Sequence, residues 1–109
     1  MPFQHTSLAE GRWGQFSLAE QLANVGSEVG RAARWQNKNA QSYEMASRRA
    51  LELLDMTMQD SRWRGRLKEI SRAREILCDA FLGSGMYKTT LLDLERYFSQ
   101  FAMAARLKK

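Results

Sequence analysis

Apolar positions in this chain recur every three or four residues, in four stretches separated by turn-forming residues, which is the period of one helix face. Leu18, Leu22, Val25, Val29 and Ala32 advance in alternating steps of four and three and predict a first helix. Ser17 and Glu20 head it as an S-x-x-E capping box, in which each side chain satisfies a backbone N–H of the other residue. Asn37-Lys38-Asn39 predicts a turn, with Asn39 placed to cap the next helix. The second stripe is Tyr43, Ala46, Ala50, Leu53, Leu54 and Thr57, reaching about Asp60. Asp60 or Ser61 ends that helix and caps the third, whose stripe is Trp63, Leu67, Ile70, Arg74, Leu77 and Phe81, widened by Ala73, Ile76 and Ala80. Gly83 stands where a helix C-terminal glycine is expected, and Gly83-Ser84-Gly85 reads as a turn. Thr90 with Asp93 caps a fourth helix carrying Leu91, Leu94, Phe98, Phe101 and Ala105, with Tyr97 and Ala102 beside them.

Each helix is apolar on one face only, so each needs the others in order to persist. The first two connections are short, which makes consecutive helices antiparallel neighbours. The expected fold is therefore all-α: an up-down-up-down four-helix bundle over residues 17–109, preceded by an N-terminal arm over 1–16. In the arm, Gly11 and Gly14 interrupt any helix, while Phe3, Trp13 and Phe16 offer anchors. Leu22, Val29, Leu54, Ile70, Leu77, Phe98 and Phe101 should be buried together. Gly26 and Gly30 lie one turn apart beside the first stripe. They cost helix propensity and leave a notch into which another helix fits.

With 109 residues the chain has room for one domain. Val and Ile are scarce, which counts against a sheet. No apolar run approaches the roughly 20 residues that cross a bilayer, and the N-terminus lacks the features of a signal peptide. The single cysteine, Cys78, has no internal disulfide partner. These features lead us to expect a cytoplasmic protein with no membrane association.

The net charge is +5, and it is unevenly spread. Arg62, Arg64, Arg66, Lys68, Arg72 and Arg74 make six basic residues in thirteen. Such a run suits nucleic-acid phosphates. A structural account competes with it and is preferred. Basic residues at a helix N-terminus oppose the macrodipole, as do Glu52, Asp55 and Asp60 at the end of the second helix. An antiparallel hairpin cancels both. Mirroring about the turn sets Asp55 against Arg66, Glu52 near Glu69 or Arg66, and Arg48 and Arg49 near Glu75. Arg74 sits on the apolar stripe, so a buried ion pair with Glu52 and Asp55 is expected. Arg64, Lys68 and Arg72 recur every four residues on the opposite face and are the candidate nucleic-acid contacts of the alternative reading.

Catalytic constellations are nearly absent. The one histidine, His5, is far from Cys78 in sequence, and metal ligation needs clusters of His or Cys that do not occur. No cofactor or metal site and no enzymatic activity are therefore expected. The run Gly83 to Thr90 resembles a phosphate loop superficially, but Tyr87 precedes Lys88 where that motif requires glycine, and a helix precedes the loop where it requires a strand.

Several segments together carry a resemblance. They are Gly26-Ser27-Glu28-Val29, Arg49 through Asp55, Arg64 through Ile70, Arg74 through Asp79, Arg96-Tyr97-Phe98 and Gln100-Phe101-Ala102. In these the chain resembles a family of small prokaryotic all-helical proteins, a likeness that implies a bundle and no chemistry. In architecture it also resembles HEPN-type four-helix domains, some of which are ribonucleases with an Arg followed a few residues later by His. Here Arg72 and Arg74 are followed by Leu77, Cys78 and Asp79, so the resemblance implies the architecture without the nuclease motif.

Trp35 lies about 100° from the stripe of the first helix, at 3.6 residues per turn, beside Arg31. Trp and Arg are enriched in interfaces. Gly26, Gly30, Arg31 and Trp35 are accordingly the candidate interface of a homodimer or of a protein partner. The functional expectation is a non-catalytic helical interaction protein. The alternative is an RNA-binding module using residues 62–74, and a weaker one is a HEPN-like nuclease or toxin-type protein.

Overall fold

The computed structural model describes residues 12–83 and 89–107. Among these residues four α-helices form: α1 (Leu18–Trp35), α2 (Ala40–Gln59), α3 (Leu67–Leu82) and α4 (Leu91–Leu107). No strand occurs among the described residues. Residues 84–88 of the α3–α4 connection, and with them the centre of the Gly83–Thr90 run, lie outside the described residues, as do Phe3, His5 and Gly11.

The helix ends form where local chemistry places them. The Ser17–Glu20 capping box is complete in both directions, at 2.9 and 3.1 Å. Asn39 accepts from the Ser42 N–H at 3.0 Å, and Thr90 and Asp93 exchange two hydrogen bonds. Between α1 and α2, Asn37 takes the left-handed conformation (φ 65°), a region that asparagine tolerates better than most residues. The N–H groups of Lys38 and Asn39 both return to the Trp35 carbonyl. Gly83 closes α3 with φ 71° and donates to Asp79 O.

Contacts between helices define the topology. Gln21, near the start of α1, reaches Asp60 beyond the end of α2. Tyr43, near the start of α2, donates to the Phe81 carbonyl at the end of α3. Glu69 and Tyr97 line one cleft with Ile76 and Asp93. Each neighbouring pair is thus antiparallel, giving the up-down-up-down bundle.

α1 is the central helix, packed closely along both α2 and α4. Leu22, Val25, Val29, Ala32, Leu54, Ile70, Leu77 and Phe98 are buried in one core. Phe101 departs from expectation: it is half-buried, packed against the core without entering it. Trp13, placed in the arm by its sequence context, belongs to the core at 3% exposure. It lies in a 3-10 turn over Trp13–Gln15.

The Gly26–Gly30 notch is filled from within the chain. A Cβ at Gly26 would stand 2.6 Å from the Phe98 Cβ, and one at Gly30 would stand 2.5 Å from a Glu95 carboxylate oxygen. Both glycines are buried. This corrects their assignment to an intermolecular interface, because α4 occupies the space that a partner helix would need.

The third helix also differs from its expected form. Ser61–Arg66 is a 3-10 segment broken at Trp63 (φ −105°, ψ 20°), and α3 proper begins at Leu67 after a second non-helical residue, Arg66. The hairpin therefore does not mirror about a tight turn. Of the two partners expected for Asp55, it meets Arg74, as the stripe position of that arginine predicts, and not Arg66. Arg66 instead pairs with Glu69 of its own helix at 2.8 Å. The extra six-residue segment shifts α3 along α2, and the register expected from charge moves with it.

Candidate functional site

Three places in the bundle gather polar or exposed side chains in a specific arrangement. The first was not legible as a site in the sequence. Gln21, fully buried, joins three segments through one side-chain amide. Its NH2 donates to the Trp13 carbonyl at 2.9 Å and to Asp60 Oδ2 at 3.1 Å. Its carbonyl oxygen accepts from the Trp63 indole N–H at 3.0 Å. Asp60 caps the 3-10 segment by accepting from the Arg62 N–H, and it holds the Arg62 guanidinium at 2.7 Å. Arg62 in turn donates to the Phe16 carbonyl and lies 4.4 Å over the Trp63 ring. Hydrogen bonds from Arg62, ahead of the opposing cost of burial, bring the Asp60 carboxyl down from 3.8 to about 2. The network locks the N-terminal turn, α1 and the α2–α3 connection together. A polar residue directly before the apolar Leu22 was its only sequence signal.

The second place is the basic run. Three of its members are engaged by acids: Arg62 by Asp60, Arg66 by Glu69 and Arg74 by Asp55. The Arg74–Asp55 pair is bidentate, at 2.7 and 3.4 Å. It is not the buried pair expected, since the two side chains keep 35% and 36% exposure. Glu52 is buried on the same helix. Arg64 and Lys68 are exposed and enter no ion pair among the described residues. The expected face of Arg64, Lys68 and Arg72 is divided. Arg64 lies in the 3-10 segment, out of α-helical phase with the other two, and Arg72 borders a cleft between α3 and α4. That cleft, of about 320 Å³, has Ala73, Ile76, Leu94 and Tyr97 as its apolar lining. Burial, followed by the nearby Glu69 carboxylate, pushes the Tyr97 phenol above its ordinary range.

The third place is a groove between the N-terminal part of α2 and the C-terminal part of α1, lined by Arg31, Trp35, Ser42, Met45, Ala46 and Arg49. Trp35 is 43% exposed and Met45 40%. Arg31 is tied to the buried Glu28 beneath it. The second Glu28 carboxylate oxygen is buried with no hydrogen-bond partner among the described residues. Of the four candidate interface residues, the structure leaves Arg31 and Trp35 on this surface and takes Gly26 and Gly30 into the core.

Among the described residues, no three His, Cys, Asp or Glu side chains gather as a metal site, and no histidine is present. Cys78 accepts a hydrogen bond from Arg74 Nη1 at 3.5 Å. No described helix is long and apolar enough to cross a membrane. Compared with models of known protein families, with curated proteins and with solved structures, the chain matches none.

Proposed function

We propose that this protein is a non-catalytic docking module that binds a protein partner through the α1–α2 groove around Trp35. The observation that carries this reading is the exposed indole of Trp35, which shares one groove with an exposed Met45 and with Arg31 and Arg49. Trp, Met and Arg are the residue types most enriched where proteins meet. A tryptophan at the edge of a bundle with room to bury it offers a large area of contact at little cost in side-chain entropy. The groove lies between two helices held by a tight turn, so it is preformed. A single cysteine suits a reducing compartment, and the cytoplasm is the expected place of action.

The test is affinity purification of the full chain and of Trp35→Ala from the native cell, with proteins identified in both, alongside light scattering at high micromolar concentration. The reading expects a protein retained by the wild type and lost by the variant, with the helical circular dichroism of the two unchanged. A concentration-dependent dimer abolished by Trp35→Ala makes the partner a second copy, and such an interface should bury more than about 1,000 Å². Identical retention by both proteins, with no dimer, overturns the reading.

A further inference from the structure

The antiparallel topology brings the start of α1, the end of α2, the start of α3 and the end of α4 to one end of the bundle. The basic side chains collect there. Arg12 precedes the Trp13 turn, Arg62, Arg64 and Arg66 ride on the 3-10 segment, Lys68 stands in the first turn of α3, and Arg106 lies in the last turn of α4. All six are exposed. Contacts bring two of them, Arg62 and Arg106, to the same residue, Phe16. Arg62 donates to the Phe16 carbonyl, and Phe16 lines a shallow cleft with Glu20 and Arg106.

The acids at this end are Glu20, Asp60 and Glu69, and each is already committed. Glu20 accepts from the Ser17 N–H, Asp60 from Gln21 and Arg62, and Glu69 from Arg66. Arg12, Arg64, Lys68 and Arg106 enter no ion pair among the described residues. Most of the exposed large apolar side chains lie elsewhere: Trp35, Met45, Leu82 and Leu92 are toward the opposite end, and Met103 and Leu107, near the end of α4, are the exceptions. Charge therefore outweighs exposed apolar surface at this end, whose clefts at Phe16 and at Trp13 are both bordered by arginine. One further detail fits close approach from outside. A Cβ at Gly65 would meet nothing within 4 Å, and its φ is not left-handed. Neither packing nor backbone geometry requires glycine there, and its absent side chain leaves the segment between Arg64 and Arg66 open.

We infer that this basic end binds the phosphate backbone of nucleic acid, with Arg12, Arg64, Lys68 and Arg106 as the phosphate contacts. Guanidinium forks suit phosphate oxygens. Charges spread over several helix ends contact phosphates without reading base edges and give affinity without sequence preference. The site is separate from the Trp35 groove and does not depend on it.

Fluorescence anisotropy of the full chain with a labelled single-stranded RNA of about 16 nucleotides tests this. The expected result is binding at about 50 mM salt that weakens steeply as salt rises. The double changes Arg64→Gln with Lys68→Gln, and Arg12→Gln with Arg106→Gln, should each lower the logarithmic salt slope by roughly 0.7 per contact removed. The fourfold variant should lose most of the affinity while keeping its helical circular dichroism, and oligo-U and oligo-A should bind alike. Trp35→Ala should leave RNA binding unchanged. The inference is overturned by no binding at low salt, by a fourfold variant that binds as the wild type does, or by binding lost in Trp35→Ala. Equal or tighter binding to polyglutamate of the same length, or to vesicles of anionic lipid, also overturns it.

Discussion

The side-chain amide of Gln21 donates to the Asp60 carboxylate at 3.1 Å across 39 residues of chain, and the same amide holds the Trp13 carbonyl and the Trp63 indole. One buried polar side chain therefore does at this end of the bundle what a cluster of apolar contacts does in the core. A buried group of this kind is stabilising only when every partner is present, because an orphaned donor or acceptor keeps its desolvation cost.

The Asp60 contribution should appear in the acid limb of the stability curve. Its carboxyl falls from 3.8 to about 2 in the folded protein, chiefly through hydrogen bonds from Arg62. A lowered folded-state value means that the unfolded chain binds the proton more readily. The stabilisation is therefore complete above the unfolded value near 3.8 and is lost as pH falls through about 2. Asp60→Asn should cost about 1–3 kcal/mol at neutral pH. The difference between variant and wild type should shrink between pH 4 and pH 2 in urea melts followed by circular dichroism. An equal difference at both pH values would remove Asp60 as the titrating group.

The two glycines of α1 should respond in opposite ways to alanine. At Gly26 the new Cβ meets the Cβ of Phe98, an atom fixed to the α4 backbone, so the helices must part. A loss of about 1–3 kcal/mol is expected, as for other overpacked cores. At Gly30 the nearest atom is the end of the Glu95 side chain, which can rotate away. There the gain in helix propensity, up to about 1 kcal/mol, should make Gly30→Ala neutral or stabilising. Chemical denaturation of the two single variants measures this, and equal losses would show that α4 is not seated as described.

Phe98 is fully buried and lies against Gly26. Phe98→Ala should cost about 3–5 kcal/mol, because the ring leaves a cavity that a helix pair locked at Gly26 closes only in part. A melting curve within a degree or two of the wild type would contradict the packing.

The Arg74–Asp55 pair should matter little by comparison. Both side chains are about a third exposed, so solvent screens the attraction. A double-mutant cycle with Arg74→Met and Asp55→Asn should return a coupling of about 1 kcal/mol or less, as for other solvent-accessible pairs. A coupling of several kcal/mol would restore the buried pair expected from the stripe.

Much of the fold follows from interactions within one helical turn. The stripes through Leu22, Val29, Leu77 and Phe98 are periodicities of a single helix, and the caps at Ser17, Asn39, Gly83 and Thr90 are contacts over three or four residues. Such features are set by neighbours in the chain, so the sequence by itself determined them, together with the helix count and the antiparallel order imposed by short turns. The tertiary structure decided the rest. The sequence offers Asp55 two partners, Arg66 by mirroring about the turn and Arg74 by its place on the stripe, and the 3-10 segment with its breaks at Trp63 and Arg66 moves α3 along α2 so that Arg74 takes it. The Gly26–Gly30 notch was visible as a notch, but only the packing of α4 showed that it is filled from inside. Gln21 carried almost no sequence signal, because its burial depends on Trp13, Asp60 and Trp63 converging from three segments. The gathering of Arg12, Lys68 and Arg106 at one end is likewise a property of helix direction and length, and no local pattern in the chain records it. Register and convergence are settled by the summed packing of residues far apart in sequence, where a shift of one helix along another exchanges every partner at once.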